Sequence, residues 1–235
     1  MSRNTGTEGS RTPATEEAGH AELVAAARSM VVPGQRTVLG IVGAPGSGKS
    51  TLGEALVSAL DGQAVLVGLD GFHLANAELD RLGRHPRKGA VDTFDAAGYV
   101  NLLRRLRARD EEVVYASQFD RSLEESIACA VPVERDVPLI ITEGNYLLVE
   151  YGPWKQVRAL LDTCWFLEPG EETRMRRLIT RHMSYGRSPE EAHERSHGSD
   201  QANAELIAST RHRADRVIRI APSNDTSELI KEPTS

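Results

Sequence analysis

Cysteine and aromatic residues are scarce in this chain. Its 235 residues contain two cysteines, Cys129 and Cys164, and 5% Phe, Trp and Tyr. No Cys-x-x-Cys pair is present, so neither a zinc ribbon nor a dithiol redox motif is expected. Cys164 sits in the apolar run Cys164-Trp165-Phe166-Leu167 and reads as a small core residue. Two unpatterned cysteines suit a reducing compartment, and a cytoplasmic location is expected. No apolar run approaches the roughly 20 residues of a transmembrane helix, so no membrane partner is expected. Basic charge is also short, with 28 Lys+Arg against 34 Asp+Glu and a formal net charge of -6. That balance lacks the field of a nucleic-acid binder, and no nucleic-acid partner is expected.

What remains fits one domain. Residues 1–19 are rich in Ser, Thr, Gly, Glu and Arg without an apolar h-region, and read as a disordered tail rather than a signal peptide. The domain is expected to span 20–221, followed by a frayed tail at 222–235. Short apolar runs at Thr37–Val42, Ala64–Leu69, Val113–Tyr115, Val137–Thr142, Asp162–Leu167 and Arg216–Ile220 read as strands. Helical patterns lie between them, at Lys49–Leu60, Ala96–Arg107, Glu171–Met183, Pro189–His197 and Gln201–Thr210 among others. This alternation predicts an α/β fold around a largely parallel, buried sheet. Ligands of such sheets sit beyond the carboxyl ends of the strands.

The segment after the first strand meets that expectation. Gly43-Ala44-Pro45-Gly46-Ser47-Gly48-Lys49-Ser50-Thr51 matches G-x-x-x-x-G-K-[ST] between a strand and a helix. Glycines there let backbone N–H groups turn inward around phosphate oxygens, and the helix N-terminus adds its positive dipole end. Lys49 can reach the β- and γ-phosphates of ATP, and the Ser50 hydroxyl can ligate Mg²⁺. The buried run 137–142 ends in Glu143, where a carboxylate can assist the metal opposite Ser50.

A P-loop alone does not separate kinases from GTPases or transport ATPases. The guanine-reading N-K-x-D and the transporter LSGGQ signature are both missing. Asp70, in Asp70-Gly71-Phe72-His73 after the second strand, falls at the same carboxyl edge as the P-loop. A carboxylate there can take the proton of an attacking hydroxyl, although Asp-Gly also reads as an ordinary turn. Arg174, Arg177 and Arg181 share one helix face, and Arg187 follows; such guanidiniums can neutralise a transferring phosphoryl group as part of a lid.

Together these motifs resemble the phosphoribulokinase, uridine kinase and pantothenate kinase group. The resemblance also rests on Arg87-Lys88-Gly89, Thr93-Phe94-Asp95, Phe119-Asp120-Arg121, Glu143-Gly144-Asn145-Tyr146 and Tyr185-Gly186-Arg187-Ser188. It is strongest to small bacterial proteins called nucleoside/nucleotide kinase-like or fructose-transport-kinase-like. It implies a P-loop three-layer sandwich with a five-stranded, mainly parallel sheet and a helical lid. It implies use of ATP and Mg²⁺, with Asp70 as catalytic carboxylate and Arg177, Arg181 and Arg187 in the lid. His73, Lys88, Asp95, Asp120, Arg121, Asn145 and Tyr146 are then expected to face a small-molecule acceptor, and dimers are common in the group. The chain is shorter than pantothenate kinases of this type, and Phe119-Asp120-Arg121 is not the uridine kinase form. The acceptor therefore stays open among nucleoside, sugar and pantothenate-like alcohols. The alternative is a nucleotide-dependent switch read by a protein partner.

Overall fold

In the computed structural model, residues 12–221 are described. Six strands form a wholly parallel sheet: β1 (Thr15–Ala18), β2 (Thr37–Gly43), β3 (Ala64–Gly68), β6 (Leu139–Gly144), β7 (Thr163–Leu167) and β8 (Arg216–Ile220). Their spatial order is β1-β8-β7-β2-β6-β3. The β2 sequence Thr-Val-Leu-Gly-Ile-Val-Gly is buried from Val38 onward, as a central strand covered on both faces must be. Helices α1 (His20–Ser29) and α2 (Lys49–Ala59) cover one face, packing Leu23, Leu52 and Leu56 on Leu39, Ile41 and Trp165. On the other face α4 (Ala96–Ala108) sets Tyr99, Leu103 and Leu106 against Val38, Ile140 and Phe166. The three-layer α/β fold is as the sequence implies, with a strand count of six rather than five.

The sixth strand is β1, inside the segment read as a tail. Its residues Thr-Glu-Glu-Ala carry no apolar pattern, and only Ala18 is buried. A sheet edge needs just one backbone partner, so polar residues can pair there. Glu16 accepts from Arg216 at 2.5 Å, and Arg211 bridges Thr15 and Glu168. Residues 1–11 and the expected tail 222–235 lie outside the described residues.

The short strand expected at Val113–Tyr115 is the start of a two-stranded antiparallel ribbon, β4 (Val113–Asp120) with β5 (Glu125–Glu134). Only Val114, Ala116 and Val133 are buried, so its hydrophobic signal is weak. The register shifts between Ala116 and Gln118, and the ribbon tip reaches toward the carboxyl edge of the sheet. Beyond that edge stand α3 (Asn76–Arg81) and three packed helices, α5 (Glu171–Ser184), α6 (Pro189–His197) and α7 (Ser199–Ser209). Ser188 caps α6 in a reciprocal capping box with Glu191, which fixes the entry of that helix.

Candidate active site

The loop between β2 and α2 takes the shape its glycines permit. Gly46 and Gly48 have φ of +84° and +94°, a region L side chains rarely adopt. A Cβ on Gly46 would also stand 2.6 Å from the Arg174 carbonyl oxygen of α5, so only glycine lets the lid helix approach this closely. Lys49 is buried and its ammonium reaches only the Ala44 carbonyl, at 3.3 Å. Burial pulls its pKa down, against the opposing pull of Glu143 and Asp70. Ser47 Oγ is buried with no hydrogen-bond partner among the described residues. A buried donor left open inside a phosphate-shaped loop is what an anionic ligand satisfies. Thr51 is exposed on the first turn of α2.

Register brings the carboxylates to the same edge. Glu143 pairs with Ile41 of β2 on one side and Gly68 of β3 on the other. Ser50 Oγ donates to Glu143 Oε1 at 3.2 Å. Burial, then the nearby Asp70, pushes the Glu143 carboxyl up to about 7. A hydroxyl and a carboxylate converging in this way fit Mg²⁺, which takes few protein ligands and fills its shell with water and phosphate oxygens.

Asp70 is the second residue of a 3₁₀ turn (Leu69–Phe72) directly after β3. Its Oδ2 accepts from Arg121 at 3.3 Å. His73 stacks between Phe94 and Phe119, with ring centres 4.0 and 4.8 Å away, and its Nδ1 lies 2.8 Å from the Asp70 carbonyl oxygen. Burial lowers the His73 pKa and favours the neutral ring.

One cleft joins these parts. Lys49, Ser50, Asp70, His73, Lys88, Arg121, Glu143, Asn145, Arg181 and Arg187 all line it, as do Asp200, Asn203 and Arg195. Arg177 lies outside the lining, yet its guanidinium comes within 3.4 Å of where a Cβ on Gly48 would stand. Arg174 is fully engaged: it donates to Pro45 O at 3.2 Å, to Glu171 and to Gln201, tying α5 to the P-loop and α7.

Three residues expected to face the acceptor are placed elsewhere. Asp95 is exposed and caps α4, accepting from Gly98 N at 2.8 Å. Asp120 accepts from the Ser122 and Leu123 amides and closes the ribbon turn. Tyr146 is buried beside Phe94 and Trp154, and its hydroxyl donates to the Gly89 carbonyl at 2.6 Å. It shapes the loop that lines the cleft. Asp95 and Asp120 satisfy local backbone and Tyr146 a distant carbonyl, alternatives that sequence spacing does not distinguish from ligand contact.

A phosphate loop between a parallel strand and a helix, with Asp70 and Glu143 at the same sheet edge under three packed helices, is the arrangement of a P-loop kinase. The chain belongs to the Phosphoribulokinase / Uridine kinase family, whose sequence profile matches residues 38–227. It is 31% identical over 205 residues to a candidate uridine kinase of Schizosaccharomyces pombe, covering 83% of this chain and 87% of that one. It is 30% identical over 200 residues to the uncharacterised protein YggC of Escherichia coli, covering 83% and 82% of the two chains. The crystal structure of a candidate fructose transport system kinase from Silicibacter sp. TM1040 superimposes with a TM-score of 0.77 at 35% identity, covering 87% of this chain and all of that one. The family supports an ATP-dependent kinase of small metabolites. None of the described helices is long and apolar enough to cross a membrane.

Proposed function

We propose that the chain transfers the γ-phosphoryl group of ATP to a hydroxyl of a small polar metabolite, with Asp70 as the base and Ser50 and Glu143 holding Mg²⁺. The observation that carries this reading is the single cleft in which Asp70, Lys49, Glu143 and Arg181 converge at the carboxyl edge of the sheet. Nucleotide and acceptor can meet there in line.

Each side chain then has a defined task. P-loop amides and the open Ser47 hydroxyl bind phosphate oxygens, and the buried Lys49 ammonium supplies fixed charge in a dry setting. Bound Mg²⁺ would neutralise phosphate charge. Asp70 accepts the proton of the acceptor hydroxyl, oriented by the Arg121 guanidinium. Arg177, Arg181 and Arg187 approach the transferred group from the lid. Neutral His73 and the Asn145 side chain offer hydrogen bonds to acceptor hydroxyls. A second groove, lined by Ala44, Leu167, Pro169, Gln201 and Ala204, opens beside the P-loop and suits the adenine ring.

The test is ADP release from Mg-ATP in the presence of nucleosides, sugars, pantothenate and related alcohols. Release that rises with one acceptor class supports the kinase reading. Nucleotide turnover indifferent to every alcohol but raised by a protein partner would replace it with the switch.

A further inference from the structure

The far wall of the cleft carries more positive charge than the nucleotide requires. Arg195, on α6, was invisible as a site residue in the sequence, since Glu-Glu-Ala-His-Glu-Arg-Ser-His reads as a solvated polar helix. In the fold it is half-buried and lines the cleft, donating to the carbonyl of Lys88 at 3.2 Å. That carbonyl belongs to the loop before Gly89, facing the lid. Neither Arg195 nor its neighbours Arg181 and Arg187 form a carboxylate ion pair within 4.0 Å among the described residues. The acids near them are already engaged: Asp70 with Arg121 at 3.3 Å, Asp200 with His182 at 2.7 Å, and Glu143 with Ser50 at 3.2 Å. Glu124 stands exposed at the rim.

Gathering guanidiniums without ion-pair partners is costly, and burial and then Arg187 lower the pKa of Arg195 against the opposing pull of Asp200 and Glu124. An anionic ligand relieves that cost. ATP takes Lys49, Ser47, Arg177 and the P-loop amides, with Arg181 and Arg187 at its transferred phosphoryl group, which leaves Arg195 without an anionic partner. The aromatic groups of the acceptor side offer little to a nucleobase: His73 packs on Phe119, and Lys88 and Arg121 stand 5.1 and 5.9 Å from its ring centre.

We infer that the acceptor is itself an anion, an alcohol bearing a carboxylate or phosphate group, and that Arg195 is the side chain that selects it. The inference rests on the kinase reading and narrows its substrate class. Arg195 would form a charge-assisted, fork-like pair with the anionic group while the acceptor hydroxyl lies at Asp70. Asn203, which donates to the Gly89 carbonyl at 3.4 Å, fixes the loop on which that subsite is built.

The first arm of the test uses inorganic phosphate as the probe. Wild-type protein is saturated with Mg-AMP-PNP, so the nucleotide phosphate sites are filled, and phosphate is then titrated by thermal shift. Phosphate is expected to raise the Tm further, and Arg195→Ala should weaken that binding about tenfold or more. Arg195→Lys should recover part of it. The second arm compares matched acceptors: glycerol, glycerate and glycerol 3-phosphate, and pantothenol with pantothenate. Anionic members should show the lower KM, with the carboxylate and phosphate esters telling the two sources apart, and Arg195→Ala should erase the preference. No additional phosphate binding, or equal binding by Arg195→Ala, overturns the inference. So does a preference for neutral acceptors, which would leave the kinase reading standing. Failure of Mg-AMP-PNP to shift the Tm at all strikes the kinase reading and takes this inference with it.

Discussion

Glu143 carries the clearest conflict between stability and function. Its carboxyl is buried and raised from 4.5 to about 7, so the ionised form is disfavoured in the folded, metal-free protein. The unfolded chain ionises near 4.5, and the folded protein therefore loses stability as pH rises from there through about 7. Glu143→Gln removes that burden. The variant is expected to melt higher than wild type at pH 8 without nucleotide, to differ little at pH 4.5, and to lose about a hundredfold or more in kcat. Melting curves at the two pH values and initial rates at saturating Mg-ATP check it. Equal Tm at pH 8 would show that the carboxylate is solvated or already paired.

Arg174 and Arg177 sit three residues apart on one helix and divide the labour. Arg174 is 4% exposed and holds Pro45, Glu171 and Gln201, whereas Arg177 is exposed and points at the P-loop. Arg174→Ala should cost about 2 kcal/mol, since it leaves the buried Pro45 carbonyl and the half-buried Gln201 side chain without their donor. For a chain of this length that is a fall in Tm of about 4–8 °C. Arg177→Ala should leave the Tm almost unchanged and lower kcat. Denaturation and steady-state rates on the pair decide it. The reverse pattern would exchange their roles.

At the scale of elements, legibility followed range. The P-loop was readable because its strand, glycines, Lys49 and Ser50 are contiguous, and the chemistry needs them contiguous. Asp70 and Glu143 were readable because a parallel sheet brings every strand end to one edge. The lid helices showed their period. What escaped depends on contacts distant in sequence: β1 pairs with β8 across about two hundred residues and has no apolar pattern of its own. The β4–β5 ribbon buries too few residues to alternate cleanly, and Cys129 within it has φ +58°. Arg195 reaches the cleft only because α6 docks beside the Lys88 loop. Asp95 and Tyr146 looked like ligands because a polar group near a motif carries the same letter whether it holds substrate or backbone.

The edge strand makes its own prediction. Deleting residues 1–18 removes β1 and uncovers β8, together with the Thr15 contacts to Glu168 and Arg211. The truncated protein should melt several degrees lower and aggregate more readily through the open edge, while Mg-AMP-PNP still binds, because the P-loop is built on β2. Melting, light scattering and nucleotide titration test this. An unchanged Tm would mean that β1 contributes nothing to the sheet.

For the whole molecule, the architecture separates two halves of one reaction. The central strand β2 delivers the phosphate loop, its neighbour β6 delivers Glu143, the edge strand β3 beyond β6 delivers Asp70, and the helices after β7 close over both. In the proposed reaction the nucleotide is held by backbone and one buried cation, so its site is written locally. The acceptor would meet side chains from five separate segments: the turn after β3, the Lys88 loop, the ribbon, the turn after β6 and the lid. That dispersal lets one scaffold serve many alcohols, and it explains why the reaction type was legible when the acceptor was not.

Asp70 is proposed as the base of the phosphoryl transfer, and one variant isolates that role. Asp70→Asn keeps the shape of the side chain, and its amide oxygen can take the place of Oδ2 as the acceptor from Arg121, but it cannot accept the proton. It is expected to bind Mg-AMP-PNP with wild-type affinity and to transfer phosphate to the identified acceptor about a thousandfold more slowly. Retention of wild-type turnover by a variant that still binds nucleotide would contradict the account and move the base elsewhere.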